Sequence, residues 1–285
     1  MKNLPTTDRE PTSNPHEHGL LHKHGPLDVV RLNQQAAAAL HTARPQFADW
    51  SIAVTQIAGA EVLDFRSPAC PAAAGQLLAR VSSGAELEID VEPATAGAAW
   101  QWEVVVRTAE PLPACLGAQY AGWPLSCGKY FAMVSGPIRG ARGREPLFQH
   151  FQIPANAWEA HPTTPRVAVL ESDQLPDEAT VQQMAAECHC PPEQLLLCVA
   201  GTASPAGTLQ VVARSLETAL HQGEVLEAPL GLLRRGQGRA PLPPVPRQSL
   251  TAIGWTNDAI IYHGQVDWWV DGDWSAWSTL GPQLI

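Results

Sequence analysis

Apolar and polar positions alternate along this chain in short runs of two different periods. Helical spacing across Leu32–Ala43, LNQQAAAALHTA, predicts a helix that Pro45 ends. Runs at Ser51–Ile57, Leu87–Val91 and Trp100–Thr108 predict strands, the last through the β-branched stretch QWEVVVRT. Between the first two, PAAAGQLLARVSS predicts a second helix. In the second half, Arg166–Glu171 (RVAVLE) and Gln194–Ala200 (QLLLCVA) have the continuous apolar character of buried strands. A helix DEATVQQMAAEC lies between them. Pro176 stands at its start, and Asp177 and Glu178 suit the positive end of its dipole. Leu209–Leu220 (LQVVARSLETAL) passes from β-branched residues into a helical pattern. Arg239–Pro246 (RAPLPPVP) is expected to be a proline-rich loop. Leu250–Gln265 places apolar residues on both sides of Thr256-Asn257-Asp258. Strands alternating with helices predict an α/β or mixed α+β fold.

Composition narrows the function classes. The chain has 285 residues, room for one large domain or two lobes. Its net charge of −10 is the wrong sign for a generic nucleic-acid backbone binder. No apolar run approaches the roughly 20 residues of a membrane span, and the first residues carry no secretory apolar core. A cytoplasmic protein with no membrane or nucleic-acid partner is the expectation. Residues 1–27 are polar, contain His16, His18, His22 and His24, and are expected to be a disordered tail. The six cysteines fit no zinc or redox spacing; Cys188-His189-Cys190 lacks a second pair, so no metal site is expected.

A few positions could carry chemistry. Arg214 and Glu217, three apart in a predicted helix, share a face. A carboxylate among apolar neighbours and beside a guanidinium could activate water; the same spacing also describes an ordinary surface ion pair. Ser135-Gly136-Pro137, after Lys129-Tyr130-Phe131, is either a ligand-facing turn or a plain strand exit. Thr202 and Ser204, after a strand, could grip a polar ligand or cap a turn. Gly236-Gln237-Gly238 lacks the rest of a dinucleotide fingerprint. Thr256-Asn257-Asp258 reads as a turn or cap. Trp268, Trp269, Trp274 and Trp277 form core, a ligand-stacking surface or a protein contact.

Five blocks in one order go further: ACLGAQYAGWPLSCGKYFAMVSGPIR from Ala114, LESDQLPDEATVQQMAAEC from Leu170, AGTASPAGTLQVVARSLETAL from Ala200, GQGRAPLPP from Gly236 and IGWTNDAIIYHGQV from Ile253. Together they resemble the methenyltetrahydromethanopterin cyclohydrolase family across Leu32–Val270. The resemblance implies two similar α/β lobes, at 28–160 and 161–285, with a ligand cleft between them. It implies hydrolysis of the cationic methenyl bridge of a reduced pterin one-carbon carrier to a formyl group, in one-carbon metabolism such as formaldehyde oxidation. It implies a homotrimer with no metal or redox cofactor. Glu217 would be the general base, with Arg214 holding its carboxylate and adjusting its acidity. Substrate contacts would fall on Lys129, Tyr130, Phe131, Ser135, Gly136, Thr202, Ser204, Gln210, Thr256, Asn257 and Asp258, with Ser135, Thr202 and Asn257 on the cleft walls. The chain departs from the family in lacking its C-terminal SRDYG-x-PF and FY-x-ID patterns, and in carrying SPACPAAAG where a Val-Pro-Gly turn stands. A shortened or divergent bacterial-type member is the expectation. The alternatives are a catalytically reduced paralogue that binds pterin or assists assembly, and a paralogue for another pterin.

Overall fold

Two sheets share one layer of helices, and each half of the chain supplies strands to both. The computed structural model describes residues 27–94, 100–154, 156–272, 275–278 and 280–281. In chain order its elements begin with α1 (Val29–Ala43), β1 (Ala53–Ile57), β2 (Ala60–Asp64), α2 (Ala72–Ser82), β3 (Glu88–Pro93) and β4 (Trp102–Thr108). A π-helical segment (Leu112–Gln119) leads into β5 (Trp123–Cys127), β6 (Tyr130–Ser135) and α3 (Ile138–Arg142). Then come β7 (Arg166–Glu171), α4 (Glu178–Glu187), β8 (Leu195–Ala200), α5 (Pro205–Val212) and α6 (Ser215–Val225). The chain continues through β9 (Leu233–Pro241), α7 (Ser249–Ile261), β10 (Gln265–Val270) and α8 (Ser275–Ser278).

The first sheet has the order β1-β2-β8-β7-β6-β5, with β2, β8 and β7 parallel. β7 and β8 are apolar almost throughout because both sheet faces are covered. Ala168, Leu170, Leu197 and Val199 pack with Val181 and Met184 of α4 on one face. Val167, Val169, Cys198 and Ala200 pack with residues of α1, α2 and α5 on the other. The second sheet is antiparallel, β10-β9-β4-β3. Its inner face, including Val104, Val106 and Ala240, meets α5, α6 and the π-helical segment. Its outer face is polar, as the alternation of β10 shows: Gln265, Asp267 and Trp269 are exposed while Val266, Trp268 and Val270 are partly buried.

The mixed α/β class holds. A boundary near residue 160 does not separate one sheet from the other, since β1, β2, β5 and β6 share a sheet with β7 and β8. Leu27, read as tail, is buried in the core; the rest of the proposed tail lies outside the described residues. Three other expectations change. The stretch 239–246 is not all loop, because Arg239, Ala240 and Pro241 complete β9 against β4. Leu209–Leu220 is not one element but the end of α5 and most of α6, broken at Ala213-Arg214. Thr256-Asn257-Asp258 is not a turn but the middle of α7. Of the C-terminal tryptophans, Trp277 is buried and meets Trp268 edge-on at 5.6 Å, Trp269 is exposed, and Trp274 lies outside the described residues. No helix of the described residues is long and apolar enough to cross a membrane.

Candidate functional site

α6 is the element on which the site is built. Its first turn sits directly on β9, where Gly236 and Gly238 lack side chains. A Cβ on Gly238 would stand 2.6 Å from the Ser215 hydroxyl and 2.7 Å from the Leu216 amide. The GQG block therefore serves close helix-on-strand packing. On its other side α6 meets the π-helical segment. That segment is wide-turned: the Tyr120 amide donates to the Cys115 carbonyl, five residues back. This brings the ACLGAQY and ARSLETAL blocks face to face.

Glu217 lies at that junction, in the first turn of α6, and is 5% exposed. Its carboxylate has no hydrogen-bond partner among the described residues. Burial pushes it up to about 7, against the opposing pull of the Arg214 and Arg139 guanidinium groups. Arg214 does not clamp that carboxylate, as the resemblance implied. Its Nη2 donates to Ser135 Oγ and to Gln210 Oε1, each at 3.1 Å, and it forms no ion pair with Glu217. The guanidinium acts on Glu217 through its field while tying the end of β6 to the end of α5.

Around this pair, buried polar atoms have capacity left over. Gln119 Oε1, Gln210 Nε2, Arg214 Nε and Ser215 Oγ are buried without partners. Gln119 uses only its amide nitrogen, which donates to the Ala213 carbonyl at 3.1 Å. Unpaired buried groups are expensive and mark places where a ligand or ordered solvent completes the structure. Tyr120 lies beside them, stacked on His221 with ring centroids 4.4 Å apart. Burial, and the nearby Glu217 charge, raise the Tyr120 phenol. The other flank of α6 lines a cavity of about 760 Å³, with Thr218, His221 and Gln222 facing Ile260, Val266 and Trp277. That volume suits a small organic ligand.

The structure thus brings Ser135, Gly136, Gln210, Arg214 and Glu217 together. Gly136 follows Ser135 and donates its amide to the Ala118 carbonyl of the π-helical segment. Other expected contacts lie elsewhere. Lys129 sits in the exposed β5–β6 turn, at the opposite end of β6 from Ser135 and about 20 Å along the strand. Phe131 is 54% exposed near that end. Tyr130 is buried there, its phenol pushed up to about 12 by burial. Thr202 and Ser204 flank the other end of α5. Ser204 caps the helix, accepting from the Gly207 amide at 3.0 Å and donating to the Gly201 carbonyl at 2.8 Å. Thr202 donates to Glu171. Thr256 donates to carbonyls of its own helix, Ala252 and Ile253, while Asn257 and Asp258 are exposed on α7. Of the three proposed wall residues, only Ser135 reaches the Glu217 junction.

Sequence reasoning missed Gln119, Tyr120, Arg139, Glu145 and His221. The signal for the first was present: a glutamine closing an apolar CLGA run has to be buried and therefore bonded. Cys188-His189-Cys190 gathers no further ligands; the described residues contain no group of three or more His, Cys, Asp and Glu placed to hold a metal.

A model of the cyclohydrolase (MCH) family matches residues 31–285. A methenyltetrahydromethanopterin cyclohydrolase of Rhodopirellula baltica is 42% identical over 232 residues, which is 80% of this chain and 68% of that protein. One of Methylobacillus flagellatus is 37% identical over 211 residues, 74% of this chain and 63% of the relative. One of Methanosarcina barkeri is 39% identical over 175 residues, 61% of this chain and 53% of the relative. The matched part of this chain therefore spans about half to two thirds of these relatives.

Proposed function

This chain belongs to the cyclohydrolase (MCH) family, and from that premise we propose that it hydrolyses the methenyl bridge of methenyl-tetrahydromethanopterin, or a close analogue, to the formyl compound. The observation that carries the proposal is Glu217: a buried carboxyl without a hydrogen-bond partner, held near 7. The relatives, methenyltetrahydromethanopterin cyclohydrolases, supply the substrate class. The bridge carbon lies between two nitrogens that share a positive charge, so it accepts water. As the water oxygen bonds to carbon, one proton passes to Glu217. The carbon–nitrogen bond then breaks as Glu217 returns that proton to the departing nitrogen, while the hydroxyl on the carbon gives its own proton to solvent and becomes the formyl C=O. One group must be base and then acid, which a carboxyl titrating near neutral pH does without a large driving-force penalty in either direction. No electrons change hands, so no redox cofactor enters the scheme, and we assign no metal to it.

Arg214 acts in this reading by fixing Gln210 and Ser135 and by keeping Glu217 from rising further. The unpaired atoms of Gln119, Gln210 and Ser215 supply hydrogen-bonding capacity for the flat pterin. We further assign a cytoplasmic setting in one-carbon metabolism, such as formaldehyde oxidation, and a homotrimer. Leu250, Ile261 and Tyr262 of the α7 region, 84%, 58% and 74% exposed, supply apolar surface for the assembly. Light scattering near three times the 30.6 kDa chain mass is the expected result, and the single-chain mass would remove the trimer.

The deciding experiment is spectrophotometric hydrolysis of the methenyl pterin by the purified protein. Turnover that disappears in Glu217→Gln supports the proposal. Tight pterin binding without turnover in the unaltered protein would replace it with a pterin-binding or assembly role.

A further inference from the structure

A second buried charge system stands behind Glu217. Arg139, in the first turn of α3, is fully buried and forms a two-point ion pair with Glu145: Nε lies 2.9 Å from Oε1, and Nη2 donates to Oε2. Its Nη1 donates to the carbonyls of Leu116 and Ala118, each at 3.2 Å, which closes the π-helical segment. The guanidinium lies 5.0 Å from the Tyr120 ring centroid and 5.2 Å from that of Phe148. Tyr120 in turn stacks on His221, one helical turn beyond Glu217. Gly122 makes the arrangement possible, since a Cβ there would stand 2.1 Å from Glu145 Oε2. Each of the three guanidinium nitrogens of Arg139 thus has an acceptor.

We propose that Glu145 is a positioning residue for the reaction at Glu217: by holding Arg139 at two points it fixes where a buried positive charge stands behind the carboxylate and cancels part of that charge's field. The proposal rests on the reading of Glu217 as the proton-handling group. The groups facing Glu217 are Arg214 at the N-cap of α6 and His221 one turn along it, Arg139 from α3, and Cys115 and Tyr120 from the π-helical segment and its end. Two of these are permanent cations, and only Arg139 has a carboxylate bound to it among the described residues. Without Glu145, Glu217 would face two unbalanced guanidinium groups and become a weaker base. Without both members of the pair, it would face only Arg214 and become a stronger one. Opposite shifts from one ion pair are a signature that simple loss of structure does not produce.

The test is the titration of Glu217 in two variants of the full chain, Glu145→Gln and the double variant Arg139→Met with Glu145→Gln. It is read by the low-pH limb of kcat/KM for the methenyl pterin, and independently by carbon NMR of isotope-labelled glutamate side chains, with Glu217→Gln identifying the signal. Glu145→Gln is expected to lower the Glu217 midpoint by about half a pH unit or more, and the double variant to raise it above that of the unaltered protein. Where Glu145→Gln does not fold, the double variant, which buries no unpaired charge, still decides. Midpoints unmoved in the folded variants, with only melting temperature or kcat reduced, overturn the proposal and leave the pair structural. Absence of turnover in the unaltered protein sinks the hydrolase reading alone, because the NMR titration still reads the effect of Glu145.

Discussion

At the N-terminal end of α5 the buried hydroxyls are all partnered: Ser204 with Gly201 and Gly207, Thr208 with the Thr202 carbonyl at 2.7 Å, Thr202 with Glu171. About 12 Å on, where α5 ends and α6 begins, Gln210, Arg214 and Ser215 hold buried polar atoms with nothing attached, and Glu217 holds an unpaired carboxylate. Both ends carry small polar residues in blocks that resemble the family, so sequence alone marks them alike. The difference is in their hydrogen-bond accounts. A fully satisfied end fixes the helix, whereas an end with spare donors and acceptors is built for something that arrives later.

Glu217→Gln attacks the unsatisfied end most directly. Turnover is expected to fall on the order of 10²-fold or more, measured as initial hydrolysis rate with pterin binding little changed. The same variant should be more stable. The Glu217 carboxyl is at about 7 when folded, against 4.5 unfolded, so the folded state binds the proton more tightly. Its carboxyl is neutral and harmless below 4.5; its charge destabilises progressively between 4.5 and 7, and by about 3 kcal/mol above that. Melting curves of the variant and the parent should therefore differ at pH 8 and converge near pH 4.5. Equal melting temperatures at both would show that Glu217 is not held out of water.

Gly238→Ala tests whether the seat of α6 sets the site. The added methyl meets Ser215 Oγ and the Leu216 amide, so a loss of about 1–3 kcal/mol in denaturant unfolding is expected, together with impaired turnover. Full activity would mean that the first turn of α6 can shift freely. Arg214→Lys keeps the charge but not the fork that joins Ser135 to Gln210. Roughly tenfold slower hydrolysis is expected, about 1.4 kcal/mol in the barrier; an unchanged rate would reduce Arg214 to a point charge. Ser204→Ala, at the satisfied end, should lower stability by about 1 kcal/mol through the lost cap and leave kcat alone. A rate effect there without a stability effect would erase the distinction between the two ends.

What could be read in the sequence followed from burial. RVAVLE and LLLCVA are legible as strands because both sheet faces are covered, leaving almost no polar position. The break at Ala213-Arg214 is not legible, since both residues favour helix; it is imposed by α6 settling on Gly236 and Gly238. The wide turns of Leu112–Gln119 are likewise set by partners, the Arg139 guanidinium among them. For the site, spacing placed Arg214 and Glu217 on one helix, and the block resemblance gave them roles. It did not show that they are unpaired with each other. The Arg139–Glu145 pair was hidden because it closes across a loop that turns at Gly143, with φ 62°, and no periodicity reports it. Lys129 and Phe131 belong to the same family-resembling block as Ser135, and the extended geometry of β6 sets them toward its other end.

The interleaving of the two sheets has a consequence for how the chain is made. β2, complete by residue 64, has β8 at 195–200 as its inner neighbour; β4, complete by 108, waits for β9 at 233–241. A chain emerging from the ribosome therefore carries two unfinished sheets at once, and neither closes until most of the polypeptide has been synthesised. Contacts of such long sequence separation make for slow folding. Expressed separately, the first and second halves would each expose the strand edges that the other covers. Premature termination anywhere before β9 would leave a product with a sticky sheet edge rather than a smaller working domain.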